Sequence, residues 1–167
     1  DFTKDPRFIP TAFRHPYGDI AALAPQLAGK KVVITCQKGL KLSQGAAAVL
    51  RTGGIAAEYL VGGNIAWREA GEVLIPAAAI PARNKLGQTV WVTRHRPKID
   101  RLACPWLIKR FVDPSAQFLF VAPTEVINVA ERFHATPFDI DGTFWSHRGE
   151  NCTFDTMIQE FALKTDA

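Results

Sequence analysis

Cysteine is scarce in this sequence. Cys36, Cys104 and Cys152 are too few, and odd in number, for a disulfide framework. Each is by default a small apolar thiol buried in a core. Long apolar runs are missing as well. The longest, residues 73–81, is short and interrupted by Pro76, so no bilayer-spanning helix and no membrane partner is expected. The opening residues, DFTKDPRFIP, hold acids and two prolines but no apolar segment. No signal peptide is read there, and the expected location is the cytoplasm. The sequence opens on Asp1 rather than Met, so a further upstream segment is expected. Strong charge of one sign is also lacking. The net charge is +4; residues 1–87 hold 11 Lys+Arg against 6 Asp+Glu, and residues 88–167 hold 9 against 10. An excess of that size is modest for nucleic-acid binding, and it suits a small anionic substrate.

What is present is an ordinary globular composition, with 47% hydrophobic and 22% charged residues. At 167 residues the chain can form one medium domain or two small ones. Residues 31–35 (KVVIT) form a short β-branched run typical of a buried parallel strand. Residues 43–52 read as a helix stopped by Gly53-Gly54, residues 57–61 as a strand, and residues 65–69 as a short helix. Strand, loop, helix and strand at these lengths make a βαβ unit. Residues 75–88, with two prolines and Gly87, read as a linker, which places a domain boundary near Gly87. Beyond it, strands are expected at 90–93 and 117–121 and helices at about 102–111, 124–133 and 153–163. Pro105 must begin or kink the first of these helices. Residues 138–145 (FDIDGTFW) read as a hairpin around Asp141-Gly142.

Cys36 stands between the first strand and its helix. Loops in that position turn successive N–H groups inward, and the helix N-terminus adds partial positive charge. A thiol there loses its proton more readily than a free one. Lys38 and Lys41 add positive potential, and Gly39 allows a tight backbone. The thiolate can then attack sulfur, while the loop amides hold an anion. The alternative is a strand-end cysteine that only packs.

The second half has two unusual segments. TRHRPKIDRLACPWLIKRFVD gathers Arg94, Arg96 and Arg101 near Asp100 and Cys104, and FWSHRGENCTFD offers His147, Glu150, Cys152 and Asp155. The arginines are candidates for binding an oxyanion. Cys104, His147 and Cys152 are candidate metal ligands, with Asp100, Glu150 or Asp155 nearby. Solvated salt-bridged helix faces and a core of Trp106, Phe111, Phe118, Phe120, Phe138, Phe144 and Trp145 are the simpler alternative.

Two resemblances extend these readings. The stretch CQKGLKLSQGAAAVLRTGGIAAEYLVGGNIAW, with its Gly62-Gly63-x-x-x-Trp67 ending, resembles the C-terminal half of a rhodanese domain. DFTKDPRFIPTAF resembles an earlier rhodanese segment, so this likeness covers about residues 1–72. It implies an α/β fold, a rhodanese-like parallel sheet flanked by helices, over residues 1–87 and lacking its first strand. It also implies a sulfurtransferase. Cys36 would take sulfane sulfur from a small anionic donor such as thiosulfate and pass it to a thiol or cyanide-like acceptor, with no cofactor required. Lys41 would orient the donor, and Gln37, Lys38, Gly39 and Leu40 would line the substrate loop. Leu42 stands where the family usually has a small hydroxyl residue, and Ser43 follows one place later.

The stretches VWVTRHRPKIDRLACPWLIKRF and ATPFDIDGTFWSHRGENCTFD resemble the C-terminal domain of the chromate-resistance ChrB family. That likeness implies a smaller, shortened α+β domain over residues 88–167 and a role in chromate resistance. Chromate would be a candidate ligand there, and a metal ion a candidate cofactor. A sensing module with a non-catalytic rhodanese scaffold is the alternative to an enzyme. The charge of the second half and the missing recognition-helix pattern speak against a nucleic-acid partner.

Overall fold

The computed structural model describes residues 2–163. In order, the chain forms β1 (Arg7–Phe8), α1 (Ala24–Leu27), β2 (Lys31–Ile34), α2 (Lys41–Thr52), β3 (Ala56–Tyr59), α3 (Gly63–Glu69) and β4 (Ile75–Pro76). It continues through β5 (Val90–Arg94), α4 (Ile99–Leu107), β6 (Gln117–Val121), α5 (Val126–Phe133), β7 (Thr136–Pro137) and α6 (Thr153–Glu160). The fold is mixed α/β, with small parallel and antiparallel sheets and six α-helices among the described residues. Within the same residues, no helix is long and apolar enough to cross a membrane.

The chain divides into two compact units. One is Phe13–Glu72; the other joins Phe2–Ala12 to the chain from Val73 onward. The division thus falls after Glu72 rather than near Gly87, and the reason is burial. Residues 75–88 do not behave as a linker. Ile75 is fully buried in the core of the larger unit, with Val73, Ala79 and Ile80 packed against that core. β4 also pairs antiparallel with β1. The Ala77 N–H donates to Pro6 O (2.8 Å) and the Thr11 N–H to Phe111 O (2.9 Å), so the first residues belong to this unit and not to the Cys36 unit.

In the smaller unit β2 and β3 run parallel, with Lys31 opposite Ala56 and Ile34 opposite Tyr59. α2 is the crossover between them. It buries Ser43, Ala46, Ala47 and Leu50, at i, i+3, i+4 and i+7. Ala47 and Leu50 meet Ile55 and Ala57 in a small core, and burial of Leu50 alone contributes about 2 kcal/mol. The expected parallel sheet is therefore present but has only two strands, and a rhodanese fold is not shown by so small a sheet.

The unit that follows is the larger one, and its three-stranded sheet is all parallel, in the order β6-β5-β7. With the β1–β4 pair the unit holds both parallel and antiparallel pairings, and it is larger than the Cys36 unit rather than smaller as expected. No hairpin forms over residues 138–145. The Phe138 N–H donates to Val92 O (3.0 Å), extending the β7–β5 pairing, and the bridge from Phe138 to Trp145 is parallel. Asp141-Gly142 does turn the chain, with Gly142 at φ +79°, but Ile140 O is taken by the Thr143 N–H and hydroxyl rather than by a partner strand.

β5 is buried on both faces, as the central strand of a parallel sheet must be. Val90 and Val92 pack with Val126, Ala130 and Ala135. Trp91 packs on the other side with Phe138, Trp145, Met157 and Phe161. The Trp145 and Phe161 rings stack at 4.7 Å, and Trp91 meets Trp145 edge-on at 5.7 Å. Pro105 lies inside α4 rather than at its start. Having no N–H, it cannot bond the carbonyl one turn back. The helix widens into a π-helical turn over Ile108–Val112, closed by the Asp113 N–H on Ile108 O (2.8 Å).

Candidate functional sites

Cys36 leaves the end of β2 and faces the first turn of α2, which begins at Lys41. Its Sγ lies 3.3 Å from Ser43 Oγ, and the Ser43 hydroxyl lies 3.1 Å from Leu40 O. Burial pushes the Cys36 thiol up. The Ser43 hydroxyl and the backbone N–H groups of Ser43, Leu40 and Lys38 outweigh it, so the pKa lies below the ordinary thiol value. These donors are what a thiolate, or a persulfide on it, requires. Gly39 is buried in this loop, while Gln37, Lys38, Leu40 and Lys41 are exposed.

The loop is held from below by the start of α3. The Asn64 N–H donates to Cys36 O (3.0 Å), and the Ile65 N–H donates to Gln37 O (3.1 Å). Thr35 Oγ1 donates to Asn64 Oδ1 (2.5 Å). Close approach explains the glycines. Gly39 has φ +65° and Gly63 φ +58°, and a methyl group on Gly39 would strike Leu60 O and the Gly62 and Gly63 nitrogens. A methyl group on Gly63 would strike Cys36 O and the Gly39 nitrogen. The Gly62-Gly63 pair thus lets the α3 N-terminus seat the Cys36 loop.

The larger unit carries a second cluster, centred on the buried carboxylate of Asp139 at φ +53°. Arg94 Nη2 donates to Asp139 O (3.0 Å) and Oδ2 (3.3 Å), and Arg101 Nε lies 3.3 Å from the same Oδ2. Thr153 Oγ1 donates to Asp139 Oδ1 (2.9 Å), and the Thr153 N–H donates to Asp100 Oδ2 (3.1 Å). His147 lies across both acids, with Nδ1 3.7 Å from Asp139 Oδ1 and Nε2 3.7 Å from Asp100 Oδ2. Ligand atoms of Asp100, Asp139 and His147 all lie within 4.8 Å of one another, a donor set suited to a divalent cation.

The residues singled out in the second half are thus sorted. Arg94 and Arg101 turn onto Asp139, so much of their charge is already met. Arg96 is exposed at φ +55° and is not part of the cluster. Of Cys104, His147 and Cys152, only His147 joins the carboxylates. Cys104 is fully buried in the core. Its thiol is pushed far up, by burial first and then by the Asp100, Asp139 and Cys152 charges. Cys152 precedes α6, and its N–H donates to Asp155 Oδ2 (3.2 Å). Its pKa is also raised, by burial first and then by the Asp155 and Asp100 carboxylates. Thiols held in the protonated form are poor metal ligands.

Sequence reasoning did not assign roles to Ser43, Thr153 or Asp139. Ser43 carried a signal, being a helix-start hydroxyl seven residues from the cysteine. Asp139 carried none, because its partners lie on β5, α4 and α6.

Comparison with known proteins bears on the larger unit. Residues 91–167 match the family described as ChrB, C-terminal domain, so a ChrB C-terminal domain is found there. A 76-residue stretch is 38% identical to Protein ChrB of Cupriavidus metallidurans, covering 46% of this chain and 22% of that protein. The match therefore spans about a fifth of that relative's length. No solved structure matches.

Proposed function

We propose that the protein is a sulfurtransferase working through a persulfide on Cys36, in the cytoplasm and in the service of chromate resistance. The observation that carries this reading is the polar surround of Cys36 Sγ: Ser43 Oγ at 3.3 Å, and the amides of Lys38, Leu40 and Ser43, which favour its thiolate. The Cys36 thiolate attacks the outer sulfur of a thiosulfate-type anion. The sulfur–sulfur bond of the donor breaks, and sulfite leaves with its electron pair. A thiolate or cyanide then attacks the outer sulfur of the persulfide, and Cys36 leaves as thiolate. Lys38 and Lys41, exposed at the loop, attract and orient the donor anion. No step needs a cofactor. The three free cysteines suit a reducing compartment, and the ChrB C-terminal domain at residues 91–167 supports the chromate-resistance setting. Thiocyanate release from thiosulfate and cyanide is the test. Activity in the wild type and none in Cys36→Ser is expected; equal activity in both sinks the proposal.

A second reading is favoured by the meeting of Asp100, Asp139 and His147. In it the larger unit binds a divalent cation as a sensing module, and the Cys36 unit is a scaffold. Calorimetric titration with zinc or manganese should then give saturable binding that His147→Ala abolishes. A wild-type protein that takes up neither metal overturns it.

A further inference from the structure

α4 presents an apolar face to solvent. Ile99 is 83% exposed, Leu102 59% and Trp106 60%, and their spacing of i, i+3 and i+7 puts them on one side of the helix. At about 100° per residue these three fall within about 60° of the helix circumference; Lys98 immediately precedes the helix, and Lys109 and Arg110 lie exposed in the π-helical turn that follows it. Arg101, Cys104, Leu107 and Ile108 fall on the opposite side, where the first faces Asp139 and the others are buried. The exposed side is thus a row of large apolar residues with a cation before it and two after it.

Charge narrows what such a row can meet. Residues 94–110 hold six Lys+Arg and one acid, Asp100. Asp100 is mostly buried beside His147 and Thr153, and Arg94 and Arg101 are engaged by Asp139. Along α4 and its flanks the outward charges, Lys98, Lys109 and Arg110, are therefore positive, while α6, which packs against α4, carries the exposed acid Asp155. A second copy meeting this face symmetrically would set lysine and arginine against their like. Trp106 is also held in place: Phe111 meets its ring edge-on at 6.1 Å, and Arg110 lies over Phe111 at 5.7 Å. A pre-positioned tryptophan beside an arginine is the kind of anchor on which protein interfaces concentrate their energy.

We infer that the exposed face of α4 docks an acidic amphipathic helix of a partner protein. Leu- or Phe-type side chains of that helix would cover Leu102 and Trp106, and its carboxylates would reach Lys98, Lys109 and Arg110. This surface is independent of sulfur transfer at Cys36.

The test uses the full chain and a synthetic helical peptide bearing Leu and Phe at i, i+3, i+4 and i+7, flanked by Glu. Saturable binding is expected, weakening as salt is raised. Trp106→Ala should weaken it about tenfold or more, and so should Lys98→Glu combined with Lys109→Glu. These side chains are exposed, so both variants should melt with the wild type; if either does not, Leu102→Gln replaces it. The same peptide with Gln for Glu should bind far less. Absent binding, or equal binding of the Gln peptide, overturns the inference. So does saturable binding to phosphatidylserine vesicles or duplex DNA that these variants abolish while the Glu peptide fails to bind.

Discussion

Cys36 and Cys104 are the same side chain driven in opposite directions. Cys36 sits where a parallel strand ends and a helix begins, so N–H groups and a hydroxyl converge on its sulfur and its pKa falls below the ordinary value. Cys104 sits within α4, fully buried, one turn after Asp100, and its pKa rises through burial and then through nearby negative charge. Cys104 is fully buried and Cys36 only partly so, and burial is the largest influence on each thiol. At Cys36 the surrounding hydrogen-bonding groups outweigh it; at Cys104 nearby carboxylates add to it.

The largest expected effect is on chemistry. Cys36→Ser should abolish sulfur transfer, whereas Cys104→Ala should leave it intact and lower stability by about 1–2 kcal/mol through the cavity it opens. Thiocyanate assays and urea denaturation separate the two outcomes. Next is the loop itself. Gly63→Ala places a methyl group against Cys36 O and the Gly39 nitrogen at a positive φ, at a cost of about 3 kcal/mol. Melting of the smaller unit and loss of Cys36 reactivity should appear together.

Ser43→Ala is milder. It removes the hydroxyl beside the sulfur, which favours the thiolate, but spares the amides, so the rate of Cys36 alkylation at neutral pH should fall severalfold and its pH midpoint should move up. An unchanged midpoint would mean that the amides alone set the pKa. The smallest effect is on stability against pH. The Cys104 pKa is raised in the folded state, so above the ordinary thiol value of 9.0 the unfolded chain ionises Cys104 while the folded one does not. Stability should fall as pH rises through that range, and Cys104→Ala should flatten the slope.

Legibility from sequence followed how local each feature is. The Cys36 unit was readable because its strand, loop, helix and glycine pair are contiguous, and each residue's role depends on near neighbours. Two features there escaped notice. Ser43 was seen as displaced by one position, but the first turn of α2 brings it onto the sulfur. The pairing of β1 with Ile75 and of Thr11 with Phe111 is long-range, so nothing local in the opening segment signals it. In the larger unit the strands at 90–93 and 117–121 are legible in the sequence, but their parallel pairing and the short strand β7 are not. Asp141-Gly142 suggested a hairpin because its turn chemistry is correct, yet the competing bond from the Phe138 N–H to Val92 O decided the topology. The Asp139 cluster was only half legible. Arg94, Arg101 and His147 stood out as types, but the carboxylate joining them comes from a residue whose sequence neighbours gave no hint of it.

The central claim is that Cys36 accepts sulfur because of its surroundings. Incubation with thiosulfate, followed by mass spectrometry of the intact chain and its peptides, tests it most directly. The account predicts a gain of one sulfur atom, confined to the peptide holding Cys36 and absent in Cys36→Ser. No gain, or sulfur found instead on Cys104 or Cys152, would contradict it.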